Sequence, residues 1–163
     1  MTTGIACRIL GTGSRLLEDR ALVRHALTEQ ERIAREKGAW RQQILVVHGA
    51  QGYIDRRTGV TRGADLLVGQ EARALGMQVH PVPARWRDPC FSTCKPGHRR
   101  IGRDGHDYCP AAGNYRNQCM VDLGPYDICV AFPIGRSTGT RDCMRRAEAA
   151  GIGAVTCETA VVT

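Results

Sequence analysis

Short, largely apolar runs alternate with segments of helical period along the whole chain, and this alternation limits the folds open to it. Ala6–Leu10, Ile44–Val47, Met77–Val82, Asp127–Phe132 and Ile152–Cys157 have the length and character of strands. Between them, Leu22, Val23, Ala26, Leu27, Ile33 and Ala34 recur at helical spacing, and so do Leu66, Leu67, Ala72 and Leu75, with Gly38 and Gly76 as stops. Ala111–Leu123 and Thr138–Ala150 read as two further helices. Ile44–Val47 is apolar at every position, as a strand covered on both faces must be. Strands alternating with helices predict an α/β fold with a doubly wound, mostly parallel sheet of about five strands.

The pattern breaks once, between Trp86 and Pro110, where Cys, His, Gly, Pro and Arg crowd a stretch with little periodicity. We therefore expect residues 1–163 to form one domain, with 86–110 inserted in it as a loop. With 163 residues and 42% hydrophobic content the chain can build one substantial core. No secretory leader is evident at Met1–Ala6, and no run approaches the roughly 20 apolar residues that span a bilayer. The reading is a cytoplasmic protein without a membrane partner. Eight cysteines in a reducing compartment are then metal ligands, nucleophiles or small buried hydrophobes before they are disulfides.

In a doubly wound sheet, ligands lie outside the carboxyl ends of the strands. Three glycine-bearing turns fall there: Gly11–Arg15, Thr61–Asp65 and Gly135–Thr140. Glycine admits close backbone approach to a phosphate, and a helix N-terminus offers free N–H groups and a positive dipole end. The candidate ligand-binding residues from these turns are Gly13, Ser14 and Arg15; Arg62, Gly63 and Asp65; and Gly135, Arg136, Ser137, Thr138, Gly139 and Thr140. His48, which ends the second strand, either reaches the ligand or caps the strand through a backbone bond. The net charge of +7, from 23 Lys+Arg against 16 Asp+Glu, suits a phosphate-bearing partner, but equally a basic surface.

Four ordered motifs carry a resemblance: Arg8–Arg15; Val47–Gly49 with Thr61–Asp65; Gly113–Asp122; and Ala131–Thr140 followed by Met144–Ala147. Through them the chain resembles the SLOG superfamily, in particular its YspA-like branch of actinobacteria and their phages. The resemblance implies a Rossmann-like fold, a nucleotide or nucleotide-derived ligand, a homodimer, and roles in binding for Arg116 and Asn117. LOG-type phosphoribohydrolases of that superfamily carry an Arg in an R-x-x-x-M element, which Arg116 and Met120 match. They also carry a Glu three residues after the Gly-Thr turn, where this chain has Cys143. Glycosidic cleavage needs a carboxylate, and Asp65 or Asp122 would have to supply it. Asp142 is expected to point elsewhere on its helix. No catalytic residue is assigned; Arg116 takes that role if the protein is an enzyme.

Cys90-x3-Cys94-x3-His98 and His106-x2-Cys109 place five soft ligands within 20 residues. Zinc takes four such ligands in a tetrahedron, and a loop this poor in apolar residues needs a metal to order it. Cys90, Cys94, His98 and Cys109 are the expected ligands of a structural zinc, with His106 the alternative fourth. The segment also resembles the Cys-rich insert of phage and actinobacterial members of the family. Cys7, Cys119, Cys129, Cys143 and Cys157 are expected as buried hydrophobes.

Three functions follow. The first is a nucleotide sensor or sequestering protein. The second is a nucleoside 5′-monophosphate phosphoribohydrolase. The third is a DprA-like binder of single-stranded DNA, which the small aromatic complement, two Phe, four Tyr and two Trp, disfavours.

Overall fold

The computed structural model describes residues 4–159. Five strands form one parallel sheet, with β1 Cys7–Gly13, β2 Ile44–His48, β5 Gln78–Pro81, β8 Ile128–Phe132 and β9 Ala154–Thr156. The spatial order is β5-β2-β1-β8-β9, and every pairing is parallel. Two hairpins complete the strands: β3 Tyr53–Ile54 with β4 Thr61–Arg62, and β6 Arg100–Ile101 with β7 Asp107–Tyr108. The helices are α1 Arg20–Glu36, α2 Ala64–Ala74, α3 Ala112–Asp122 and α4 Thr138–Ala149. The doubly wound α/β expectation holds.

Alternate strand residues point to opposite faces, and this builds two cores. Ile9, Val46, Val130 and Phe132 pack with Val23 and Leu27 of α1 and Leu67 and Val68 of α2. Leu10, Val47 and Cys129 pack with Met120 and Val121 of α3 and Cys143 and Ala147 of α4. Helices α1 and α2 are pinned by charge as well as by packing. Glu71 of α2 is buried and receives Arg20 at 2.5 Å and Arg24 at 3.0 Å.

The first glycine motif behaves differently from the turn expected. Gly11 and Gly13 belong to β1 and pair with Val130 and Phe132. A Cβ on Gly11 would sit 2.8 Å from Val68, and one on Gly13 would collide with Ala64. These two glycines let α2 lie close on the strand; the turn starts at Ser14. The other differences are smaller. The short hairpins β3–β4 and β6–β7 leave no period to read in two-residue strands. Of the five cysteines expected as buried hydrophobes, Cys119 is exposed, Cys7 and Cys157 are half-buried, and Cys129 and Cys143 alone lie in the core. Trp40, ahead of β2, is 66% exposed.

Phe132 is fully buried at the end of β8. Phe132→Ala should cost about 3–5 kcal/mol, read as a lowered midpoint in chemical denaturation. Trp40→Ala should change stability by no more than about 0.5 kcal/mol.

Candidate ligand cavity and metal centre

The sheet reverses its winding between β1 and β8, the position where doubly wound sheets hold ligands. A cavity of about 560 Å³ lies there. Its floor is Thr12 and Gly13 at the end of β1, and its walls come from three helix N-termini.

Helix α4 supplies Thr138, Gly139 and Thr140. Ser137, the residue before it, makes no side-chain cap; its hydroxyl donates back to the Ile134 carbonyl at 2.6 Å. The first N–H groups of α4 therefore stay unused, which suits an anion. Ser137 holds φ +32°, a left-handed conformation unusual for a non-glycine residue. Arg141 fixes the turn by donating to the Arg136 and Gly135 carbonyls at 3.0 and 3.2 Å. At Gly139 an added Cβ would meet no protein atom within 4 Å.

Helix α2 supplies Asp65, and α3 supplies Arg116 and Asn117. The Arg116 side chain is only 9% exposed. It donates to the Gly49 carbonyl, to Gln51 Oε1 at 3.3 Å and to Asn117 Oδ1 at 3.1 Å, and it lies 3.7 Å from Asp65. Burial pushes the Asp65 carboxyl up from its ordinary 3.8 to about 6, against the opposing pull of Arg116 and the Gln51 N–H.

Asp142 also lines the cavity, contrary to the expectation that it points elsewhere. It accepts from Asn117 at 3.0 Å, Arg145 at 2.6 Å and Arg146 at 2.8 Å. These partners outweigh its burial and hold its pKa below the ordinary carboxylate value. Cys143 faces the opposite way, into the core. Asp122 is exposed and accepts from Gln118, away from the cavity.

Of the residues expected at the ligand, Gly13, Arg15, Asp65, Arg116, Asn117, Thr138, Gly139 and Thr140 converge on this cavity. Ser14 is buried, and its hydroxyl accepts from the Leu16 N–H at 3.1 Å. Gly63 is the N-cap of α2 at φ +121°, a value that favours glycine. Arg62 pairs with Glu18 and lies over Tyr53. Gly135, Arg136 and Ser137 form the turn behind α4. His48 lies under the surface, where its Nδ1 accepts from the Ala50 N–H at 3.1 Å, the capping role. Its Nε2 is buried without a partner, and burial first, then Arg73 and Arg116, pushes the imidazole down from 6.5 to about 4. Gln51, Trp86, Pro110, Gly113, Asn114 and Arg145 line the cavity without having been singled out. Only Arg145 carried a usable signal, since it sits three residues after Asp142 on one helix face.

The metal-ligand expectation finds direct support. Ligand atoms of Cys90, Cys94, His98 and Cys109 all lie within 4.8 Å of one another. His98 Nε2 is 3.0 Å from Cys90 Sγ and 3.4 Å from Cys109 Sγ, and Cys94 and Cys109 sulfurs are 3.9 Å apart. Tetrahedral zinc with bonds of about 2.0–2.3 Å separates its ligands by about 3.5–3.8 Å, so the donor set and its size fit zinc. Three thiolates and one imidazole would give the centre one net negative charge. Arg99 lies beside it, 3.6 Å from Cys90 Sγ, held by Asp107 at 2.8 Å. His106 is exposed beside Asp104 and outside the cluster, so His98 is the imidazole that could complete it.

No family model matches the chain. Over 145 residues it is 37% identical to the gene 61 protein of Mycobacterium phage D29, covering 89% of this chain and 91% of that protein. Its fold is similar to that of DNA processing protein A (DprA) from Streptococcus pneumoniae, with a TM-score of 0.61 at 13% identity. The match covers 96% of this chain and 52% of DprA, so the chain spans about half the length of that protein. Among the described residues, no helix is long and apolar enough to cross a membrane.

Two outcomes follow. Purified protein should carry about one zinc per chain by elemental analysis. Cys90→Ser should lose the metal and much of its stability, while the exposed Cys119→Ser keeps both. The second outcome concerns pH. Folding raises the Asp65 pKa, so its contribution to stability falls as pH rises from 3.8 through about 6. Folding lowers the His48 pKa, so its contribution rises between about 4 and 6.5. The two oppose each other in the native chain. Relative to it, Asp65→Asn should gain stability as pH rises through this window and His48→Gln should lose it, measured by urea unfolding at several pH values.

Proposed function

This chain belongs to the family of the gene 61 protein of Mycobacterium phage D29, and we propose that it is a nucleotide-binding protein with a structural zinc. The observation that carries the reading is the cavity at the switch point, where an uncapped α4 N-terminus faces Arg15 and the buried Arg116. Free N–H groups, a helix dipole and guanidinium forks are the donors a phosphate takes. Asp65, Asn117 and Gln51, which also hold Arg116, line the part of the cavity left for the ribose or base. On this reading the chain is a SLOG-type domain of the YspA-like branch, and residues 86–110 are its zinc-holding insert. A sensor or sequestering role needs no further chemistry from the site.

A second reading, nucleoside 5′-monophosphate phosphoribohydrolase, is favoured by one observation. Two carboxyls line the same cavity with pKa values driven apart: Asp65 upward by burial, Asp142 downward by its three donors. Such a pair can divide the work, the raised one moving a proton and the ionised one facing an oxocarbenium-like centre.

Calorimetry with AMP, CMP, GMP and UMP tests the main reading. Gly139→Val adds bulk on the cavity side of α4, where space is open, so the fold should survive while affinity drops by about tenfold or more. Arg15→Ala should weaken binding in the same direction. Native affinity in both variants would reduce the glycines to turn formers. Chromatography of the same mixtures should show no free base. Base release that disappears in Asp142→Asn would establish the enzyme instead.

A further inference from the structure

The ligand cavity continues beyond its own rim. Arg15, Gln51, Trp86, Pro110 and Thr138 line it and also line a second cavity of about 770 Å³. The far wall of the second is the β6–β7 hairpin of the cysteine-rich segment. A single small-molecule site spans about 300–1,000 Å³, so the first cavity alone takes a mononucleotide. The second is surplus to one.

Its charge is unbalanced. The two carboxylates in its lining are already engaged, Asp104 by Arg87 at 2.7 Å and Asp107 by Arg99 at 2.8 Å. Arg15, Arg100 and Arg103 have no such partner among the described residues. Two aromatic rings share the lining. Trp86 and Tyr108 meet edge to face with centroids 6.1 Å apart. Trp86 is seated against α3 at Gly113, where a Cβ would come within 3.0 Å of the indole.

We propose that the second cavity is a second subsite and that the ligand is a dinucleotide, two nucleoside units joined through phosphates. The proposal rests on the nucleotide reading of the first cavity. The bridging phosphates lie at Arg15 and Thr138, the residues common to both cavities. One unit occupies the first cavity. The other meets Trp86 and Tyr108, with Arg100 and Arg103 holding its charge. Guanidiniums without carboxylates call for an anion, and rings beside them offer a base a stacking surface. A single-stranded nucleic acid is less well served, because a strand needs a succession of rings and this groove has two.

Calorimetry on the full, metal-replete chain decides the matter with three probes: AMP, diadenosine diphosphate and an oligothymidylate of about ten nucleotides. Diadenosine diphosphate should bind about tenfold or more tightly than AMP. The double variant Arg100→Ala/Arg103→Ala should remove that gain and leave AMP affinity unchanged; both residues are exposed, so folding is spared. Equal affinity for the two probes, or a double variant that keeps the gain, overturns the second subsite while leaving the first intact. If AMP itself fails to bind, the nucleotide reading falls and takes the proposal with it. Oligothymidylate binding more tightly than the dinucleotide, and weakened in the double variant, assigns the groove to single-stranded nucleic acid instead.

Discussion

A guanidinium as buried as that of Arg116 must find partners on every side, and those partners tie the two halves of the molecule together. Helix α3 carries Arg116 on one face of the sheet. Its donors reach the Gly49 carbonyl and Gln51 after β2, and its charge meets Asp65 at the start of α2 on the other face. A Cβ at Gly49 would collide with the Arg116 guanidinium and Asp65, so a glycine is required there for the side chain to pass. Removing one member of a buried pair leaves the other uncompensated, a loss of about 3–5 kcal/mol. The cavity is therefore held open by the same contact that joins α2 to α3. Its shape and its charge have one origin.

The cysteine-rich segment acts on that contact through the start of α3. Cys109 accepts the Ala112 N–H at 3.1 Å and donates its own N–H to the Trp86 carbonyl at 2.8 Å. Cys94 Sγ lies 3.6 Å from the hydroxyl of Tyr115, the residue before Arg116. Phe91 packs on the Tyr115 ring at 4.1 Å. The cluster thus fixes both ends of a short path: Trp86 at the cavity mouth and the first turn of α3 inside it. The segment has few apolar residues of its own to hold this path in place, and four ligands to one ion would supply the order that burial does not.

Much of this was legible in the chain, and the exceptions have physical causes. Runs such as Ile44–Val47 announced buried strands because both faces of a parallel sheet are covered. The Cys90, Cys94, His98 and Cys109 set was legible because ligands close in sequence leave few arrangements. The family spacing points to position 143, whose side chain turns into the core, and so away from its neighbour Asp142 on the cavity wall. The helix itself held the better clue: Gly139 and Asp142 are three residues apart and share the face that looks onto the cavity. Arg62 sits in a promising motif, yet it pairs with Glu18, 44 residues away, a contact no local pattern encodes. Gln51, Trp86 and Pro110 reach the cavity from irregular segments, where no period says which way a side chain points.

The surplus of arginine acquires a meaning once its pairings are traced. Buried Glu31 takes Arg35 and Arg41, buried Glu71 takes Arg20 and Arg24, and buried Asp142 takes Arg145 and Arg146. Each of these carboxylates would be costly to bury alone, so these arginines serve the fold. Arg99 is committed to Asp107 beside the thiolates. Arg15, Arg100 and Arg103, by contrast, stand along one connected groove without such partners among the described residues. A net charge of +7 by itself says little about function. Its distribution says more: six arginines are neutralised by three buried carboxylates, while three along the groove keep a charge that can attract an anion.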